Sequence, residues 1–512
     1  MASRAGPVTA ALLGLAVAAL TLGSAALTAG HATDWSLGPA DGAALRFTLV
    51  QAALSALVSC ALAIPLARAL ARRCFPGRTV LIRLLAAPFL LPVVVAVLGL
   101  LAVFGRAGPV NAALATFGLP PLSIFGLHGV VIAHVFLNLP LATRMLLQGW
   151  QAIPAERFRL AEALAMPPAA QFRHVEAPML RAILPGAVAT VFLLCLTSFA
   201  VALTLGGGPK ASTIELAIYQ ALRFEFDLGR AALLAALQFA LCAAVTLATL
   251  RLTTGALFGP GLGRTGAIPA PKGWRRGVDA LTIALASAFL IAPLLAVLAR
   301  GLPGLADMPA AVWPALGRSL AVAILSAALA STIALTLALA VARGQGWLEL
   351  TAMLPLSASG LVMGTGLFLA VHPVIPPERL ALPVTLAVNA TMALPYLFRL
   401  LLPETRALLA DYGRLSDSLG LQGPARLRLV TLPRLARPLG FGAGLAAALS
   451  MGDLGVIALF AGDRTETLPL LIQRLMGAYR MEAAAGAALV LVTASFALFW
   501  AFDRWGTTRA AA

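Results

Sequence analysis

Asp453 is the one acid set well inside a long apolar run, Leu449-Ser-Met-Gly-Asp-Leu-Gly-Val-Ile-Ala-Leu-Phe460. A carboxylate at membrane depth is costly and marks a solute or ion path by default. It reads equally well as a structural group, bonded to a helix end or to a nearby hydroxyl such as Ser450. Glu215, Tyr219 and Glu225 fall in the outer loop after the fifth apolar run, where they can meet a soluble partner or form a solvated interfacial helix. His31, His128, His134, His174 and His372 are scattered and show no H-E-x-x-H or similar spacing, so no enzyme is legible in them. Cys60, Cys74, Cys195 and Cys242 form no C-x-x-C pair, and three lie inside apolar runs. They read as small buried groups, neither disulfides nor zinc ligands. Gly206-Gly-Gly-Pro-Lys-Ala-Ser-Thr213 looks like a phosphate loop, but Pro209 precedes Lys210 and the composition is that of a flexible turn. No G-x-x-x-x-G-K-[ST] stands anywhere in the chain. The chain reads as non-catalytic, with no metal or cofactor of its own.

These residues sit among elements whose character is set by composition. Of the 512 residues 60% are apolar and only 11% charged, with a mean hydropathy of +0.93. Soluble domains carry roughly 25% charged residues. Apolar stretches of roughly 18 residues or more read as membrane helices. They fall near 8–29, 47–67, 84–104, 124–146, 185–205 and 230–250, then near 280–299, 319–341, 350–371, 381–402, 439–460 and 483–502. The fold class is an all-α polytopic membrane protein of about twelve spans. The first run, Val8 to Leu27, has the length of a retained helix rather than that of a secretory signal.

The formal net charge is +17, and every basic residue except Lys210 and Lys272 is arginine. The arginines form no basic domain with interleaved aromatics, which excludes a nucleic-acid binder. They cluster in alternate loops: Arg68, Arg72, Arg73, Arg78 and Arg83, then Arg251, Arg264, Lys272, Arg275 and Arg276, then Arg399 through Arg437. Such bias sets orientation and places both termini in the cytoplasm. The Gly- and Pro-rich stretch Thr253 to Gly277 reads as a cytoplasmic linker.

The two sides of that linker repeat each other. Leu139-Pro140 with Arg144 recurs 255 residues later as Leu394-Pro395 with Arg399. Val175-x-x-Pro178 recurs as Val430-x-x-Pro433, and Ser198-Phe-Ala-Val201 as Asp453-Leu-Gly-Val456, at the same offset. Pro88 and Gly99 recur as Pro355 and Gly366, 267 residues later. Shared apolar composition explains matching Leu and Ala, but not Pro, Gly and Arg in register. An even number of spans per half makes the halves parallel repeats about an axis along the membrane normal. The division is 1–40 for the first helix and outer loop, 41–252 for half one, 253–278 for the linker and 279–512 for half two, with its core at 315–505. Ser198 joins Asp453 as a candidate on the solute path.

The longest polar segment of each half follows its fourth span. The first runs from Ile153-Pro154 through Met166, then Pro167-Pro168, then Gln171 to Pro178. The second runs from Asp411 to Leu421, then Gly423-Pro424, then Arg426 to Pro433. Pro154 suits a first helical turn and Pro167 stops that helix. Each segment predicts a short helix, a sharp turn and a second short helix. An arginine at mid-membrane costs about 2.5–3.5 kcal/mol, so both segments lie in the cytoplasm. Two copies in one register suggest two equivalent docking surfaces for a dimeric soluble partner.

These segments resemble the "EAA" loop of ATP-binding-cassette importer permeases, E-A-A-x-x-x-G followed by I-x-L-P. Gly420 with Val430, Leu432 and Pro433 matches that spacing; Ala165 with Val175, Ala177 and Pro178 matches it with Ala in place of Gly. Arg159 and Arg414 stand where the family has Glu, so an ion pair made by that Glu does not carry over to these positions. The resemblance implies that Arg159, Leu160, Ala161, Leu164, Ala165, Met166, Val175 and Pro178 dock one subunit of an ATPase homodimer. Arg414, Leu415, Ser416, Leu419, Gly420, Leu421, Val430 and Pro433 would dock the other. ATP would be bound by that partner, whose closure would rock the halves between inward-open and outward-open states.

Within the family the resemblance is to the thiamine and thiamine phosphate importers. It rests on Cys195 through Leu222, on Leu449 through Phe460, on Thr467-Leu-Pro-Leu470 and on Tyr479-Arg-Met481. It implies a periplasmic binding protein, which Glu215, Tyr219 and Glu225 can meet by their place in the chain, and the bacterial inner membrane as location. Thiamine is a flat cation, and a path for it calls for a carboxylate, an aromatic face or both. A ferric iron importer of the same fold is the alternative, ahead of a secondary transporter with six-plus-six helices. The latter leaves the paired loops without a purpose, and few buried acids or histidines besides Asp453, His128 and His134 are present for proton coupling.

Overall fold

A backbone in hydrocarbon finds no water to bond, so its polar groups must close within helices or a sealed barrel. The computed structural model describes residues 2–32, 34–85, 91–208, 211–252, 273–462 and 464–511, and every regular element among them is helical. The long helices are α1 (Ala2–His31), α2 (Pro39–Arg72), α3 (Val93–Phe104), α4 (Leu127–Ala152), α5 (Ala177–Leu196) and α6 (Leu228–Leu252). They continue as α7 (Trp274–Gly304), α8 (Val312–Ala342), α9 (Gly360–Val371), α10 (Ala381–Ser418), α11 (Leu432–Met451) and α12 (Met481–Ala511). Among the described residues eleven helical runs are long and apolar enough to cross a membrane. A twelfth arises if Trp347–Ser357 and Gly360–Val371, bent by 91°, form one span.

Three spans differ from the straight rods that hydropathy suggests. The run near 350–371 bends before α9, where Ser359 Oγ accepts the Val362 N–H at 3.1 Å and starts a new helix. The run near 185–205 begins earlier, at Ala177, and breaks at Thr197-Ser198 before a short helix, Phe199–Leu205. The run near 439–460 starts at Leu432 and breaks at Gly452-Asp453-Leu454 before Gly455–Phe460. Pro88 and linker residues 253–272 lie outside the described residues.

The same elements recur along the chain. The helix Pro168–Gln171, the π-helix Phe172–Glu176 and α5 reappear 255 residues later as Gly423–Arg426, the π-helix Leu427–Thr431 and α11. Pro154 ends α4 and starts a separate helix, Ala155–Ala163. Leu409 holds the equivalent place, and α10 runs on unbroken to Ser418. Earlier in each half, α2 and α8 bury matching faces, with Ser55, Ala56, Ala63 and Leu66 matched by Ser326, Ala327, Ala334 and Leu337. Two helices pack across the linker boundary. α1 packs on α9 and α8 as well as on α6, and α7 packs on α3 and α2 as well as on α12.

Candidate functional site

The breaks after α5 and α11 place Ser198 and Asp453 on one cavity of about 310 Å³, walled by both halves. Irregular backbone at membrane depth is tolerated where it lines such a space. Asp453 Oδ1 faces the N–H groups that open the helix Gly455–Phe460, with Val456 N at 3.5 Å, and the Asn389 amide. The Ser450 hydroxyl accepts from Asn389 Nδ2 at 2.9 Å. The carboxylate thus bonds a helix end through one oxygen, and Oδ2 is buried with no partner among the described residues.

Glu215 lines the same cavity, and only 1% of its surface is exposed. This differs from the outer-loop position read from the sequence. Thr213 caps a short helix, Ile214–Gln220, by accepting the Leu216 N–H at 3.3 Å, and Thr48 of α2 accepts the Ile214 N–H at 2.9 Å. Those bonds turn the segment back into the protein. The matching helix Leu468–Gly477 is tied to α8 in the same way, through Leu468 N–H to Ser319 Oγ at 2.9 Å. The Ser359 hydroxyl lies beside the Glu215 carboxylate, whose Oε1 is buried without a partner among the described residues.

Tyr219 is half-buried and makes edge contacts with Phe199, a cavity residue, at 5.3 Å and with Phe224 at 5.7 Å. Glu225 is exposed and pairs with Arg230 at 2.7 Å, so it stays outside the cavity. His134 also lines the cavity. Its Nδ1 meets Ser55 Oγ at 3.1 Å, while buried Nε2 has no partner among the described residues. His134 and Asn389 stand 255 residues apart, at matching places in the repeat; His134 lines the cavity, and Asn389 stands behind Asp453 and Ser450.

The paired polar segments present a different kind of surface. Arg159, Leu160, Leu164 and Ala165 are exposed, as are Arg414, Leu415, Leu419 and Gly420, whereas Ala161 and Ser416 face inward. Ala165 and Gly420 take the same left-handed backbone, with φ of 47° and 66°. Met166 is half-buried against the apolar core, Val175 is buried, and Val430 and Leu421 are half-buried. Pro178 is exposed and Pro433 half-buried, each the second residue of its helix. Behind the second segment, Arg343 is held below the usual arginine range by burial and by the guanidinium of Arg426.

No family model matches the chain. Full-length relatives do. The chain is 41% identical over 480 residues to the thiamine transport system permease protein ThiP of Salmonella typhimurium, covering 90% of this chain and 88% of the relative. It is 41% identical over 473 residues to the protein of that name from Escherichia coli, with the same coverage. The counterpart from Haemophilus influenzae is 35% identical over 470 residues, 89% of this chain and 87% of its own.

Proposed function

The chain belongs to the thiamine transport system permeases, the membrane subunits of ATP-binding-cassette importers, and from that premise we propose that thiamine or a thiamine phosphate crosses the bilayer between halves 41–252 and 279–512. The carrying observation is the cavity on the breaks of α5 and α11, with carboxylates Glu215 and Asp453 and the ring of Phe199 in its wall. Opposite charge and an aromatic face are what a flat organic cation needs once it leaves water.

The paired helix–turn–helix segments are the docking surfaces of an ATPase homodimer in this reading. Two apolar pairs support it: Leu160 with Leu164, and Leu415 with Leu419, all exposed although water disfavours them. ATP binding would draw the two surfaces together and shift the cavity between its two openings. A soluble binding protein would deliver solute at the opposite face, where Glu225 lies between exposed Phe224 and Phe226. The arginine bias supports a cytoplasmic side for both termini, and the relatives support the bacterial inner membrane as the location.

The test is reconstitution in vesicles with the cognate ATPase and binding protein. ATP-dependent uptake of labelled thiamine is expected, and no uptake of ferric iron. Iron uptake without thiamine uptake would overturn the substrate, and failure to co-purify with an ATPase would overturn the class.

A further inference from the structure

We infer that Glu215 and Asp453 form a divided cation clamp, one carboxylate from each half, that holds the positively charged ring of the solute. This rests on the substrate reading above and assigns Glu215 to the transport path. Both residues line one cavity, within the roughly 300–1,000 Å³ typical of small-molecule sites. Both carry a buried oxygen with no hydrogen-bond partner among the described residues, and Glu215 is only 1% exposed. A buried carboxylate oxygen left unpartnered is expensive, and a cation brought against these side chains would relieve that cost. His134 lines the same wall, its buried Nε2 without a partner among the described residues.

The clamp is asymmetric within a repeated fold. Ser198 stands at the place of Asp453 in half one, and the segment around Leu468-Pro-Leu470 in half two has no acid at the place of Glu215. Each half therefore contributes a single carboxylate to the cavity wall. Glu215 arrives on the helix capped by Thr213 and lies beside Ser359, which belongs to the opposite half. Motion of the halves apart separates the carboxylates and withdraws Ser359 from Glu215. Affinity for the cation then falls as the path opens, because a ligand follows the state in which its contacts are complete.

The experiment measures uptake by the reconstituted transporter of thiamine and of a neutral isostere whose thiazolium ring is replaced by thiophene. Wild type, Glu215→Gln and Asp453→Asn are compared, with ATP hydrolysis stimulated by the loaded binding protein as a parallel readout. Each variant is expected to lower thiamine uptake at least about tenfold, the scale for neutralising one partner of a desolvated charge pair. The ratio of thiamine to isostere should fall by a similar factor, while stimulated ATP hydrolysis persists. A structural role would depress both solutes together and leave the ratio unchanged, and that result overturns the inference. Unchanged thiamine uptake in Glu215→Gln overturns it as well. If wild type moves no thiamine, the substrate reading fails first and the clamp falls with it.

Discussion

A Cβ built on Gly99 of α3 would lie 2.6 Å from the carbonyl oxygen of Pro293 in α7. Gly366 of α9 meets the carbonyl of Ser24 in α1 in the same way. The two glycines hold matching places in the two halves, and each receives the helix that has crossed from outside its own half. Small residues let backbones approach where lipid supplies no hydrophobic drive for association.

Gly99→Ala and Gly366→Ala should each therefore destabilise the protein by about 1–3 kcal/mol, the usual range for overpacking. Thermal unfolding in detergent checks this. Gly23, one residue from Ser24, has open space around its would-be Cβ. Gly23→Ala should leave the midpoint unchanged or raise it. Equal effects at all three positions would mean that the crossing helices do not pack this tightly.

The repeat of Gly99 and Gly366 is visible in the sequence, but its cause is not. Which helix crosses to which half is decided by tertiary packing, and hydropathy carries no record of it. The breaks beside Ser198 and Asp453 are hidden for a related reason. Leu194 through Leu205 and Leu449 through Phe460 stay mostly apolar across the interruption, so only the unpaired backbone groups register it. Glu215 reads as an outer-loop residue because a buried re-entrant helix and a surface helix look alike over seven residues. The Thr213 cap and its counterpart Thr467 are the available signal. The docking segments are the most legible part, since clustered arginines cannot be hidden in lipid.

Ala165 and Gly420 test the cost of a left-handed residue at one motif. In the first segment Met166 N–H reaches Ala161 O at 2.9 Å, and in the second Leu421 N–H reaches Ser416 O at 2.9 Å. Both close the helix end through a residue at positive φ. An L-residue there costs about 1–2 kcal/mol, partly offset by the greater freedom of glycine in the unfolded chain. Ala165→Gly should stabilise the first segment by up to about 1 kcal/mol. Gly420→Ala should destabilise the second by about the same, because its Cβ meets nothing within 4 Å and the cost is conformational alone. Amide hydrogen exchange at the two turns reads both changes, and the same sign for both would refute the account.

Leu160 and Leu164 are 60% and 59% exposed, and Leu415 and Leu419 are 53% and 65% exposed. Residues four apart share one helical face, so each pair forms a small apolar knob. Leu160→Ser with Leu164→Ser should leave the fold intact and weaken ATPase binding. Burial of one leucine is worth about 1.5–3 kcal/mol, so a loss of tenfold or more is expected per segment. The matching change at Leu415 and Leu419 should do the same, and the combination should abolish stimulated ATP hydrolysis. Co-purification and hydrolysis assays read this directly. Full coupling with all four leucines replaced would remove the docking role.

Glu176 anchors the first segment in a way that the second lacks. Its oxygens accept from Arg68 Nε and a terminal Arg68 nitrogen, both at 2.7 Å, and from Trp150 Nε1 at 3.0 Å. Arg68 also lies over the Phe172 ring at 4.9 Å. At the equivalent place the Thr431 hydroxyl donates to the Arg426 carbonyl at 3.3 Å, its one side-chain bond among the described residues. Glu176→Ala leaves a cation and a buried indole N–H without their acceptor, which typically costs about 3–5 kcal/mol when a buried pair loses one member. Arg68 retains 28% side-chain exposure, so water recovers part of this and about 3 kcal/mol is the expected loss. Glu176→Gln keeps the shape and one acceptor, and should cost less. Arg68→Lys should fall between them, since an ammonium cannot make the two parallel bonds. Thermal midpoints give the order, and a shift in Trp150 fluorescence should accompany the alanine variant alone. If Thr431→Ala destabilises as much as Glu176→Ala, the two segments are anchored alike and this asymmetry is wrong.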